Sequence, residues 1–117
     1  MPDTMSNFKP AELDIEIWKN DSWMQSFTLT LDSTPIDLTG ATVKIDIKKQ
    51  CGDTTAISMT NGDGISVGGV NNNSITVNKV INIDAGNYVW DMQVTFTTGV
   101  VKTYLWGNFI VSQDITQ

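Results

Sequence analysis

The stretch Asp84-Ala85-Gly86-Asn87-Tyr88-Val89-Trp90-Asp91-Met92-Gln93-Val94-Thr95-Phe96 decides the fold, together with the run from Thr97-Thr98-Gly99 to Val111 that follows it. Trp90, Met92, Val94 and Phe96 alternate with Val89, Asp91, Gln93 and Thr95. A repeat of two residues puts the first set on one face of a strand and the second set on the other. The stretch therefore reads as a tight turn, a long strand, a short turn at Thr97-Thr98-Gly99 and a second long strand. Each strand has one dry face and one wet face. None of the inward positions carries a titratable group, which argues against a soluble enzyme with a buried polar site.

The same alternation continues upstream. Leu13, Ile15 and Ile17 alternate with Asp14, Glu16 and Trp18 in a first strand, and Asn20-Asp21-Ser22 is a turn signal. Trp23 to Leu31 reads as a second strand, with Phe27, Leu29 and Leu31 on one face. Val43, Ile45 and Ile47 face in, while Thr42, Lys44, Asp46 and Lys48 face out; mixed charges on that wet face would discourage stray edge pairing. The middle holds shorter strands around Ile57, Ile65 and Ile75. They are separated by Asn61-Gly62-Asp63-Gly64 and Gly68-Gly69-Val70-Asn71-Asn72-Asn73, residues that supply the positive φ angles of hairpin turns. Asn78 to Ile83 is the one segment with room for a helical turn. Gly107 interrupts the last strand and suggests a bulge there.

The expected fold is all-β, an antiparallel immunoglobulin-like β-sandwich of about seven to eight strands. Periodicity alone does not separate it from a closed barrel. Asp84-x-Gly86-x-Tyr88 at the mouth of a long strand resembles a tyrosine corner, in which the phenol ties the turn to upstream backbone. Trp90 would be a large core residue. With 117 residues, one domain is the default. Residues 1–12, with Pro2, Pro10, Met5 and Phe8, read as a flexible N-terminal arm able to dock, and residues 13–117 as the single sandwich domain.

Composition limits function. Seven Lys and Arg stand against thirteen Asp and Glu, for a net charge of −6. Such a chain lacks the basic face that nucleic acid or an anionic membrane requires. No apolar run reaches the length of a membrane span, and Met1 to Asn7 lacks the pattern of a signal peptide. The single cysteine, Cys51, cannot form an intrachain disulfide and reads as a tolerated turn residue.

The chain has no histidine, so it lacks the usual general base and the commonest metal ligand. Its serines have no partner base, and Gly62-x-Gly64 does not open a helix as a phosphate loop must. No catalytic, cofactor or metal residues are assigned. Asn61, Asp63 and Asn71-Asn72-Asn73 offer oxygen donors for calcium, but turn chemistry accounts for them better.

Aromatics on wet faces are more informative. If Leu105, Phe109 and Val111 face in, Tyr104 and Trp106 face out beside Lys102. A slip of register at Gly107 would invert Trp106. Trp18 lies opposite Leu13, Ile15 and Ile17, while Trp23 and Met24 lie at a strand start. Aromatics stranded on wet faces are enriched at protein interfaces. The expected partner-contact residues are Phe8, Trp18, Trp23, Met24, Tyr104 and Trp106. A flat sugar platform of Trp18, Tyr104 and Trp106, as in a carbohydrate-binding module, is an alternative use of the same rings.

Three segments carry a resemblance to a known family: Pro35-Ile36-Asp37-Leu38-Thr39-Gly40-Ala41-Thr42-Val43-Lys44-Ile45, Ala85 to Phe96, and Val101 to Val111. Over roughly residues 13 to 115 the chain resembles small tailed-bacteriophage proteins related to the N-terminal immunoglobulin-like domain of baseplate upper proteins. The motifs are mainly fold markers. The resemblance implies a virion structural protein, present in several copies and partnered by other virion proteins of tail, baseplate, fibre or capsid. A tail or fibre adaptor is the first expectation, and a capsid decoration protein the second. The implied location is the virion, assembled in the host cytoplasm.

Overall fold

A computed structural model describes residues 10–49 and 54–113 of the chain. Eleven strands follow in order: β1 (Ala11–Glu12), β2 (Ile15–Trp18), β3 (Ser22–Thr28), β4 (Thr30–Leu31), β5 (Thr34–Pro35), β6 (Thr42–Lys49), β7 (Thr55–Asn61), β8 (Gly64–Gly68), β9 (Ser74–Val80), β10 (Gly86–Thr95) and β11 (Val101–Ser112). The number exceeds the seven to eight expected because β1, β4 and β5 are two-residue pieces. The described residues hold no helix. At Asn78 to Ile83 the alternation of Ile75 and Val77 simply continues. Strand β9 runs to Val80, and buried Ile81 exchanges backbone hydrogen bonds with Asn20 and Asp21 (2.7 and 2.9 Å).

The hydrogen-bonded order is β1-β11-β10-β6-β7-β8-β9-β3, with β2 also on β11, and β4 and β5 form a separate pair. Strand β3, at one end of this order, packs its Trp23 ring edge-on against Trp90 of β10 (5.3 Å) and Phe109 of β11 (5.1 Å). The sheet therefore doubles back on itself and encloses one core. One layer holds β1, β2, β11, β10, β6 and β7, and the other holds β8, β9 and β3. The fold-over point is the turn at Asn61 to Gly64, where β7 and β8 share only two paired positions.

The sheet is mixed rather than purely antiparallel. Strands β1 and β2 both run parallel to β11, and β7 runs parallel to β8. Side chains alternate with the same period in either direction of pairing, so the sequence pattern carries no signal for it. Strand β6 lies between β10 and β7 rather than at an edge. Its charges therefore serve its own face: Lys44 lies 3.8 Å from Asp46, which accepts 2.7 Å from the Ser58 hydroxyl.

Small motifs hold the corners. Asp37 accepts hydrogen bonds from the Thr39 hydroxyl (2.6 Å) and amide (3.0 Å), which hold its carboxyl below the usual range. Gly40 then takes φ +76°, and Leu38 is buried. The loop asparagines spend their donors and acceptors inside the fold. Asn61 bonds the Val43 amide and the Ala41 carbonyl, and Asn73 bonds the Leu29 carbonyl. Among the described residues, no group of three His, Cys, Asp or Glu could hold a metal ion.

The tyrosine corner is present: the Tyr88 hydroxyl donates to the Asp84 carbonyl at 2.7 Å. Burial, with the Asp84 carboxylate next, pushes the Tyr88 phenol above its usual range. A phenol raised in the folded state contributes stability that is complete below its unfolded value of about 10 and is lost as pH climbs through the folded value. Urea unfolding followed across the alkaline range should therefore show stability falling above about pH 10. Tyr88→Phe should cost about 1 kcal/mol at neutral pH and make that alkaline fall shallower.

Candidate interaction face

One inward side chain, one exposed carboxylate and one glycine fix the outer face of the β2-β11-β10-β6 layer. The Trp90 indole donates to the Leu13 carbonyl at 2.8 Å, and the Leu13 amide donates to the Trp106 carbonyl at 2.8 Å. Asp14 accepts from the Asn108 amide at 2.9 Å. The segment leading into β2 thus crosses close over β11 at Gly107, where a Cβ would land on the Leu13 carbonyl. With Gly107, Phe109 and Val111 buried, Trp106, Asn108 and Ile110 face outward.

The expected bulge at Gly107 lies elsewhere. Gly107 pairs with Trp90 in regular register, and the shift falls between Met92 and Gln93, which face Leu105 and Thr103. Tyr104 is the extra residue. Its parity is therefore reversed, and it turns inward to 8% exposure. Burial raises the Tyr104 phenol above its usual range. Leu105, expected to be inward, is only half-buried.

The six expected contact residues separate accordingly. Trp106 (46% exposed) and Trp18 (44%) lie on the same outer face. Trp18 pairs with Ser112, six residues beyond Trp106 on β11, so the two indoles stand about 20 Å apart. Met24 (69%) lies on the opposite layer near Val80. Trp23 is core, at 3% exposure, because it shares the inward parity of Phe27 and Leu29. Phe8 lies outside the described residues, as does Cys51. A sugar platform of Trp18, Tyr104 and Trp106 is not assembled, since Tyr104 points inward and the two tryptophans are far apart.

Trp106 shares a concavity with exposed Val89 and a set of charges, and exposed Ile110 stands on the same face four residues along β11. Asp91 sits directly opposite both Trp106 on β11 and Asp46 on β6, and Val89 sits opposite Lys48. Asp46, Lys48, Val89, Asp91 and Trp106 border a shallow concavity of about 220 Å³. Val89 and Ile110 were legible as apolar residues on the wet parity; the concavity needed the register between strands.

Asp91 is half-buried in this concavity. Desolvation is the main cause that raises its carboxyl above the usual range, with Asp46 adding to it and Lys48 and Lys44 opposing. A carboxyl raised in the folded state favours folding while protonated, and that advantage is lost as pH rises from the unfolded value of about 3.9 through the folded value. Ionised Asp91 therefore costs stability at neutral pH. Asp91→Asn should unfold at equal or higher temperature than the parent at pH 7, with the gap closing toward about pH 3.5. Calorimetry at the two pH values measures it, and a variant less stable at pH 7 would contradict this reading.

No protein-family model matches the sequence, and no curated protein matches it. Among solved structures the chain is similar to CopC from Methylosinus trichosporium OB3b, at TM-score 0.43 and 15% identity over 64% of this chain and 66% of that one. It thus spans just under two thirds of the CopC chain. It is also similar to a ZIG-8 IG1 homodimer structure (TM-score 0.40, 9% identity, 90% of this chain and 83% of that one). A third is Dpr1 IG1 bound to DIP-eta IG1 (TM-score 0.38, 13% identity, 85% of this chain and 88% of that one). The likeness is distant in every case.

Proposed function

We propose that this chain is a non-enzymatic protein–protein interaction module built on an immunoglobulin-like sandwich. In this reading it serves as a tail, baseplate or fibre-adaptor component of a bacteriophage virion. One observation carries the interaction reading: Trp106, Val89 and Ile110 stand exposed on a sheet face that also presents Trp18 and the charged side chains of Asp46, Lys48 and Asp91. An aromatic anchor with a polar surround is the composition of an interface centre. The virion assignment is supported by the resemblance of residues 13–115 to baseplate-related domains. At net charge −6, free copies repel one another, so association would wait for a scaffold with complementary surface.

Trp106→Ala is the direct test of the face. Its ring is half in solvent, so stability should change by no more than about 0.5 kcal/mol. Retention on the assembled particle should fall by about 2 kcal/mol or more, the cost of losing an interface anchor. Equal retention with and without the indole would refute the face. Immunogold microscopy of virions tests the location. Label at the tail or its tip supports the adaptor role, label over the capsid replaces it with the decoration role, and virions that lack the chain after denaturation refute both.

A further inference from the structure

We infer, resting on the interaction reading above, that the Trp106 face receives an arginine side chain from a different protein, its guanidinium seated on the exposed indole between the carboxylates of Glu12 and Asp91.

Strand register builds the seat. Trp106 has Glu12 as its partner on β1 and Asp91 as its partner on β10, and Asp91 in turn faces Asp46 on β6. Directly paired residues point to the same side of a sheet, and neighbouring strands lie about 4.8 Å apart. A carboxylate therefore flanks the indole on either side. Strand β2 and the residues before it extend the acidic border: Asp14 and Glu16 are exposed, and Glu16 pairs with Ile110. Against these carboxylates the same face presents two ammonium groups, Lys44 and Lys48.

Two of the carboxylates stand ready for a cation. Asp46 is engaged, with Lys44 at 3.8 Å and the Ser58 hydroxyl at 2.7 Å. Among the described residues, no hydrogen bond or ion pair engages Asp91 or Glu12. Asp91 is half-buried beside the concavity, so it loses hydration without gaining an ion pair.

The chemistry of the seat selects the cation. No group of three acidic ligands gathers here for a metal ion. A guanidinium is planar: it stacks on an indole face and offers its edge to a carboxylate, which a compact ammonium cannot do at once. Val89, in the same concavity, gives apolar surface for the methylene stem of the arginine. The sequence then says whose arginine it is. All seven basic residues of this chain are lysines. A second copy thus brings no guanidinium, and its net charge of −6 opposes this acidic face. Nucleic acid is repelled for the same reason. The partner is a protein that presents arginine beside apolar side chains.

Nuclear magnetic resonance titration of the isotope-labelled full chain with acetyl-Leu-Arg-Gly-Arg-Leu-amide tests this. The control is the same peptide with citrulline, the neutral isostere, in place of arginine. The Trp106 indole N–H and the amides of Asp91 and Glu12 should shift saturably with the arginine peptide, while Met24, on the opposite layer, stays in place. The citrulline peptide should bind about tenfold more weakly, and so should the arginine peptide once Asp91→Asn is combined with Glu12→Gln. Equal binding of the two peptides, an unaffected double variant, or no saturable shift at Trp106 would overturn the inference. Particle retention lost on Trp106→Ala together with any of these results would keep the interaction face and remove the guanidinium from it. Retention unchanged by Trp106→Ala would remove the face, and the arginine seat with it.

Discussion

Replacing Trp90 with alanine should remove about 4 kcal/mol of folding stability, a large share of the 5–15 kcal/mol typical of a domain. Trp90 is almost wholly buried and meets Trp23 edge-on at 5.3 Å and Phe27 stacked at 6.4 Å. Truncation would open a cavity between the two layers and leave the Leu13 carbonyl without its indole donor. The two losses have separate signatures. Trp90→Phe keeps most of the ring volume but not the N–H, so its cost should be smaller, about 1–3 kcal/mol. Urea unfolding gives both values. A Trp90→Ala midpoint close to the parent at unchanged slope would show that the layers do not pack through this residue.

Gly107→Ala should cost about 3 kcal/mol, although it adds a single methyl group. The added Cβ would meet the Leu13 carbonyl carbon at 2.7 Å and the Asp14 carboxylate at 3.0 Å. Backbone cannot move aside as a side chain can. The crossing segment would have to lift, and with it the Leu13–Trp106 and Asp14–Asn108 hydrogen bonds. The local readout is amide exchange. Leu13 and Asn108 should lose protection in the variant, while Ile45 and Val77, in β6 and β9, keep theirs relative to global unfolding. Uniform loss across all four amides would mean that the segment is not held separately at Gly107.

Features set within one strand were legible. The alternation at Val43, Ile45 and Ile47, the inward Trp90, the outward Trp106 and the Tyr88 corner all follow from a period of two and local turn chemistry. Trp23 belonged with them, since it shares parity with Phe27 and Leu29, and reading it as a surface residue at a strand start missed that. Features set between strands were not legible. The parallel course of β1 and β2 leaves the pattern of each strand unchanged. The extra residue at Tyr104 is visible only once Met92 and Gln93 are paired to β11. Gly107 was a false lead for the bulge, because a glycine that admits a crossing backbone looks in sequence like one that admits a kink. Of the six expected contact residues, Trp106 gained neighbours only through that same register.

The pairing of β2 with β11 also sets a clock. Ile15 meets Phe109 and Ile17 meets Val111, so the first strands wait on partners from the last. A ribosome adding 5–20 residues per second must release β11 before Leu13 can receive the Trp90 indole in a closed sheet. Until then the nascent chain carries an unpaired edge on β10. Closing loops of this length before any contact rewards them favours slow folding. During that interval the unpaired edge of β10 is open to pairing with the wrong strand.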